Sequence, residues 1–145
     1  MTADSDWTQP VPDPRINGGA FSLLTHLAAD QQQLELFSQR ANIEGWLATE
    51  RALALAQAQY GVIERSDALA IVEAARFDNI DSADLWKSAR NVGYPILGLV
   101  RQIGHSLDAR ASGRVHFGAT TQDIMDTGLS LQMTRSLEAL DYSLQ

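Results

Sequence analysis

Apolar positions along the chain recur at helical spacing. Between residues 39 and 60, Ile43, Trp46, Leu47, Leu53 and Leu55 are spread among alanines. This predicts a helix entered through Ser38 as N-cap and stopped at Gly61 in the C′ position. Ser66 is expected to start a second helix through Ala75, and Asp81 or Ser82 a third through about Asn91, interrupted near Gly93. Pro95 suits the first turn of a further helix, in which Ile96, Leu97, Leu99, Val100, Ile103 and Leu107 are too apolar to face water all round. That helix is expected to be largely buried. A last helix is predicted from Thr121 and has not clearly ended at Gln145. Its apolar residues, Ile124, Met125, Leu129, Leu131, Met133, Leu137, Leu140 and Leu144, fall on more than one stripe, so it needs partners on several sides.

The remaining segments carry weaker signals. Pro10, Pro12, Pro14 and the Gly18-Gly19 pair mark residues 1–18 as an extended or disordered lead-in, and residues 21–28 read as one or two helical turns. A polar run at 31–33 is followed by a brief apolar step at Leu34, Leu36 and Phe37, and residues 109–120 read as a loop. No period-two alternation and no solenoid repeat are present, so the fold class is all-α.

Candidate chemistry is densest at residues 115–127, VHFGATTQDIMDT, which combine a histidine, two adjacent hydroxyls and a helix start. Gly118 and Ala119 allow close backbone approach. Thr120 is the expected cap, with Asp123 three residues on in a capping-box arrangement. Two readings follow. The segment is a helix start and no more, with Asp123 and Asp126 placing negative charge where it would oppose an anion. Alternatively, the free N–H groups and the roughly half-unit positive end of the helix dipole favour a carboxylate or phosphate, with His116 and the hydroxyls as directional donors.

Composition narrows the function classes. At 145 residues, 45% hydrophobic and 20% charged, the chain holds one ordinary domain or part of one. A formal net charge of −7 leaves no basic stripe for a nucleic-acid backbone. There is no Cys, and His26, His105 and His116 have no zinc-ligand spacing, so neither a metal nor a disulfide framework is expected. No apolar run approaches the roughly 20 residues that span a bilayer. The expected setting is the cytoplasm, with no membrane partner.

Residues 115–132, VHFGATTQDIMDTGLSLQ, resemble the first signature region of the fumarase/aspartase superfamily, most closely the branch of 3-carboxy-cis,cis-muconate cycloisomerase and adenylosuccinate lyase-like proteins. Two further stretches agree in order. Residues 41–63, with Trp46-Leu47, Glu50, Ala52-Leu53-Ala54 and Gly61-Val62-Ile63, are similar to the family's amino-terminal helix. Arg90 to Ile96, RNVGYPI, resembles the cycloisomerase segment before the next helix. Three ordered matches across roughly residues 35–145 are far more specific than one capping box.

The resemblance implies an amino-terminal helical domain at 19–114, then the signature loop and the start of a long central-bundle helix at 115–145. It implies a homotetramer with active sites shared between subunits, and no cofactor. The family's reactions remove a proton next to a carboxylate, building a dianionic intermediate that preorganised donors stabilise. By this resemblance Thr120 and Thr121 match the hydroxyl pair that binds a substrate carboxylate, His116 matches a histidine that hydrogen-bonds substrate, and Asn91 is a weaker candidate contact. Glu50 matches a family position, and equally fits a buried or interface carboxylate paired with Arg51 or Arg101. His26 and His105 are treated as surface or packing residues.

The family's second signature, with the histidine supporting the general acid, and its Gly-Ser-Ser loop, with the serine base, are missing from these 145 residues. The chain is therefore expected to be the amino-terminal part of a longer lyase or cycloisomerase acting on a small polycarboxylate, inactive alone. The Arg-Tyr pair and histidine usual in adenylosuccinate lyases are not found, which makes that C–N lyase type the alternative. A third reading, of another class, is a non-catalytic helical oligomerisation module.

Overall fold

The computed structural model describes residues 30–145. The lead-in expected at 1–18 and the helical turns expected at 21–28 lie outside the described residues. Helices and turns make up the rest, with no strand among the described residues.

Helix starts follow local side-chain chemistry. Asp30 accepts from the Gln33 N–H and opens α1 (Gln31–Leu36), a short helix where the sequence pattern showed a polar run and a brief apolar step and no helix was expected. Ser38 accepts from the Ala41 N–H and opens α2 (Gln39–Gln59), as expected; Gly61 follows with a left-handed φ of 70°. The next helix, α3 (Arg65–Ala74), starts one residue before the expected Ser66, and its N-cap Glu64 makes no side-chain cap. A 3₁₀ turn at Phe77–Asn79 leads to α4 (Ser82–Val92), capped by Asp81 and ended by Gly93 at φ 90°. Pro95 precedes α5 (Ile96–His105). The stretch expected to be a loop contains α6 (Ala109–Ser112), because Asp108 accepts from the N–H groups of Arg110 and Ala111. The last helix, α7, runs Thr121–Leu144.

The core forms where α2 packs between α3 and α7, with α5 closing one side and α4 packed on α5. Ile43 and Leu47 of α2, Ile71 of α3, Ile96, Leu99 and Ile103 of α5 and Ile124 of α7 are the largest apolar residues with almost no exposure. Each such burial contributes about 1.5–3 kcal/mol against the entropy of folding. The expected burial of α5 holds for Ile96, Leu99 and Ile103, while Leu97, Val100 and Leu107 are half-buried. Leu55, read as part of the apolar pattern of α2, faces outward.

Cross-chain contacts set the direction of α7. Gln33 meets Ser136, the Leu36 carbonyl accepts from Gln132 at 2.8 Å, Gly45 meets Gly128, and the Phe117 carbonyl accepts from Gln57. Residue numbers rise on one side as they fall on the other, so α7 runs antiparallel to α1 and α2. Its buried stripe, Ile124, Gly128, Gln132 and Ala139, is small and partly polar. A neighbouring stripe, Leu129, Met133, Leu137, Leu140 and Leu144, is exposed, Leu137 by 63%. The multi-stripe pattern read from the sequence is therefore real, and among the described residues one stripe is covered while its neighbour is exposed.

Candidate functional site

The chain reverses between α6 and α7, and the candidate chemistry sits in that reversal. His116 adopts φ 61°, the left-handed region that costs an L-residue with a side chain about 1–2 kcal/mol, and Gly118 follows at φ 72°. Two such residues so close together turn the chain sharply from α6 into the first turn of α7.

Helix α2 holds the reversal. Glu50 Oε1 lies 2.6 Å from His116 Nδ1, and Gln57 donates through Nε2 to the Phe117 carbonyl at 2.5 Å. Seven residues apart, Glu50 and Gln57 lie on one face of α2, so a single helix face grips two consecutive loop residues. Glu50 is 1% exposed, and its Oε2 is buried with no hydrogen-bond partner among the described residues. Burial pushes the Glu50 carboxyl above the ordinary glutamate range, and the hydrogen bond and charge of His116 draw it partly back. The expected arginine partner is thus corrected. Arg51 donates to the Ala75 carbonyl at 2.7 Å, Arg101 is exposed, and the carboxyl is paired with a histidine 66 positions away. No local pattern signals a pairing at that separation.

At the start of α7 the capping box forms as the sequence predicts. The Thr120 N–H and Oγ1–H both donate to Asp123 Oδ2, at 2.8 and 2.9 Å, and Thr120 Oγ1 accepts from the Asp123 N–H at 3.4 Å. The Thr120 backbone bond, then its hydroxyl, and last the nearby His116 charge hold the Asp123 carboxyl below its usual range. His116 itself lies four residues before Thr120, in the reversal that leads into this helix start. The capping box also divides the hydroxyl pair. Thr120 spends its proton on Asp123, whereas half-buried Thr121, the first helical residue, makes no side-chain hydrogen bond to another described residue. The N–H groups of Thr121 and Gln122 have no acceptor within the helix.

His116, Thr120 and Thr121 are therefore brought together. Asn91 is exposed in the last turn of α4 and shares no hydrogen bond with those three among the described residues. Gln122 donates to Asp126 at 2.5 Å along the face of α7. The sequence reading missed Gln57, and it missed Arg114, whose guanidinium lies 5.1 Å from the centre of the Phe117 ring and adds a cation next to the reversal. Its position two residues before His116 was the available signal. Among the described residues no group of three His, Cys, Asp or Glu side chains is placed to hold a metal ion, and no helix is long and apolar enough to cross a membrane. An open groove of about 810 Å³ between α3, α4 and α5, lined in part by Glu73, Asp84, Gln102 and His105, includes none of the loop residues.

The arrangement supplies hydrogen-bond donors at a helix N-terminus, one hydroxyl without a partner among the described residues and a histidine anchored through one ring nitrogen. Such a set suits a carboxylate.

No family profile matches the chain. It is 36% identical over 127 residues to trans-aconitate decarboxylase 1 of Mycosarcoma maydis, covering 88% of this chain and 25% of that protein. It is 38% identical over 113 residues to the 3-carboxy-cis,cis-muconate cycloisomerase of Pseudomonas aeruginosa, covering 76% of this chain and 25% of that protein. Among solved structures, the 3-carboxy-cis,cis-muconate lactonizing enzyme of Pseudomonas putida superposes with a TM-score of 0.78 at 33% identity, covering 84% of this chain and 28% of that one. The chain spans about a quarter of the length of the curated relatives it matches. An all-helical fold, a capped histidine and threonine loop set against a buried glutamate, and these relatives agree with one another, and the chain belongs to the fumarase/aspartase superfamily.

Proposed function

We propose that the complete protein carrying this chain is a cytoplasmic, cofactor-free lyase or cycloisomerase acting on a small polycarboxylate, of the 3-carboxy-cis,cis-muconate cycloisomerase type. In this reading residues 19–114 are an amino-terminal domain and residues 115–145 open the central bundle, through which the protein forms a homotetramer. His116, Thr121 and the first N–H groups of α7 hold and polarise a substrate carboxylate. Thr120 contributes as the cap that fixes their geometry, Asn91 is a peripheral contact at most, and the proton is moved by residues outside this chain.

The observation that carries the reading is the division of labour at the α7 start, where Thr120 and Asp123 satisfy each other, the Thr121 hydroxyl has no hydrogen-bond partner among the described residues, and His116 is anchored by Glu50. A carboxylate placed there receives donors that need no reorganisation, and such donors lower the barrier most when negative charge develops on the substrate. Two relatives are named for trans-aconitate and for 3-carboxy-cis,cis-muconate, both small polycarboxylates, which supports that substrate class.

The test is an assay of the complete protein with 3-carboxy-cis,cis-muconate, trans-aconitate and adenylosuccinate. Turnover of a small polycarboxylate, reduced about 10- to 100-fold in kcat/KM by Thr121→Val, is the expected result. Turnover of adenylosuccinate alone would replace this reading with the C–N lyase type. Inertness toward all three would leave the oligomerisation module.

A further inference from the structure

We propose that Glu50 is a positioning residue for His116, engaging Nδ1 from the buried side so that Nε2 is the nitrogen presented to a substrate carboxylate. This rests on the carboxylate-site reading above. Glu50 does not touch the substrate position itself. Among the described residues its partnered oxygen bonds to Nδ1 alone, at 2.6 Å, and it is almost wholly buried on α2.

A structural role alone gives a poor account of Glu50. A carboxyl with one buried oxygen unpartnered is an expensive way to fill space between helices, because desolvation is only half compensated. Two turns further along α2, Gln57 grips the Phe117 carbonyl with a neutral amide whose Oε1 is likewise buried without a hydrogen-bond partner among the described residues, so holding the loop does not by itself require a carboxyl. What a carboxyl adds at residue 50 is control over the ring. His116 Nδ1 is fully occupied, the side chain is 18% exposed, and Nε2 has no hydrogen-bond partner among the described residues. When the pair carries one proton between Oε1 and Nδ1, Nε2 bears a hydrogen whichever atom holds the shared proton, and it can donate to a carboxylate. When that proton is lost, the remaining one stays on Nδ1 and Nε2 becomes an acceptor. A carboxylate ligand therefore selects the protonated pair. The left-handed backbone at His116 fits the same role, since it is tolerated where the surroundings over-determine one geometry.

The experiment is long-range ¹H–¹⁵N spectroscopy of imidazole tautomers in the intact chain above the imidazole titration, with exposed His105 as internal reference. The expected result is an Nδ1-protonated His116 and a predominantly Nε2-protonated His105. Glu50→Leu should convert His116 to the His105 pattern, and Glu50→Gln, which keeps an acceptor, should retain Nδ1–H. An Nε2-protonated His116 in the unaltered chain overturns the proposal, as does an unchanged tautomer in Glu50→Leu. Should the leucine variant fail to fold, the unaltered chain and Glu50→Gln still decide. In the complete protein, Glu50→Leu is expected to lower kcat/KM about 10- to 100-fold with partial rescue by Glu50→Gln. Normal turnover by His116→Ala alongside the expected tautomers would instead sink the substrate role of His116 and leave Glu50 as the group that orients its ring.

Discussion

Gly45 of α2 and Gly128 of α7 bring two helix backbones into direct contact. A Cβ on Gly45 would lie 3.3 Å from the Gly128 Cα, and one on Gly128 would lie 2.8 Å from Cδ1 of Trp46. This crossing sets how closely α7 sits on α2, and so where the loop before α7 falls relative to Glu50 and Gln57.

Gly128→Ala is expected to destabilise the chain by about 1–3 kcal/mol, since Trp46 must move, despite a gain of about 1 kcal/mol in helix propensity. Gly45→Ala meets backbone that cannot rotate away, so it requires the helices to separate by a few tenths of an ångström. Urea unfolding of both variants checks this. Unchanged or raised midpoints would mean that the helices are not held by this contact.

The two threonines are expected to separate by readout. Thr120→Ala removes the cap and should cost about 1 kcal/mol of stability. Thr121→Val should leave thermal stability near that of the unaltered chain while weakening carboxylate binding in the complete protein. Thermal melts paired with ligand titration test this; equal loss of stability in both variants would remove the distinction.

Stability near Glu50 should depend on pH in a defined direction. In the fold its carboxyl binds a proton more tightly than in the unfolded chain, where the ordinary value is 4.5. The contribution is fully present below that value and is lost as pH rises through the raised folded value. Glu50→Gln should therefore be more stable than the unaltered chain at neutral pH, with the advantage vanishing in acid. Denaturant unfolding at about pH 4 and pH 7 measures it, and a difference independent of pH would contradict the assignment.

Asp123 should behave in the opposite sense. Its folded carboxyl is held below the ordinary 3.8 by the Thr120 bonds, so its contribution is present above that value and is lost as pH falls through the lower one. Asp123→Asn is expected to flatten this acid limb of α7 unfolding followed by circular dichroism. An unaltered acid limb would show that the capping carboxylate contributes nothing to the helix.

The exposed stripe of α7 should drive self-association of the isolated chain. Leu137→Gln with Met133→Gln removes two exposed apolar residues one turn apart and no residue of the core. The mass from light scattering is expected to fall without loss of helicity. An unchanged mass would place any association elsewhere.

Helix boundaries and the α7 capping box were legible in the sequence, because a cap is a conversation between residues two to four positions apart. Ser38, Asp81 and Thr120 with Asp123 satisfy N–H groups in their own first turns, and Gly61 and Gly93 end helices through their own backbone freedom. The same locality explains the misses. Asp30 and Asp108 start helices too short to show an apolar period, and Glu64 starts α3 without a side-chain cap to announce it.

What the sequence determined by itself was the all-helical class, most helix ends and the gathering of His116, Thr120 and Thr121, which are neighbours in the chain. Tertiary structure decided that Glu50 pairs with His116 and with neither arginine, how close α7 approaches α2 at Gly45 and Gly128, and that Asn91 stands outside the hydrogen bonds of the loop. The first two depend on desolvation and on contact between residues 66 or more positions apart, which exist only once α2 and α7 are packed antiparallel.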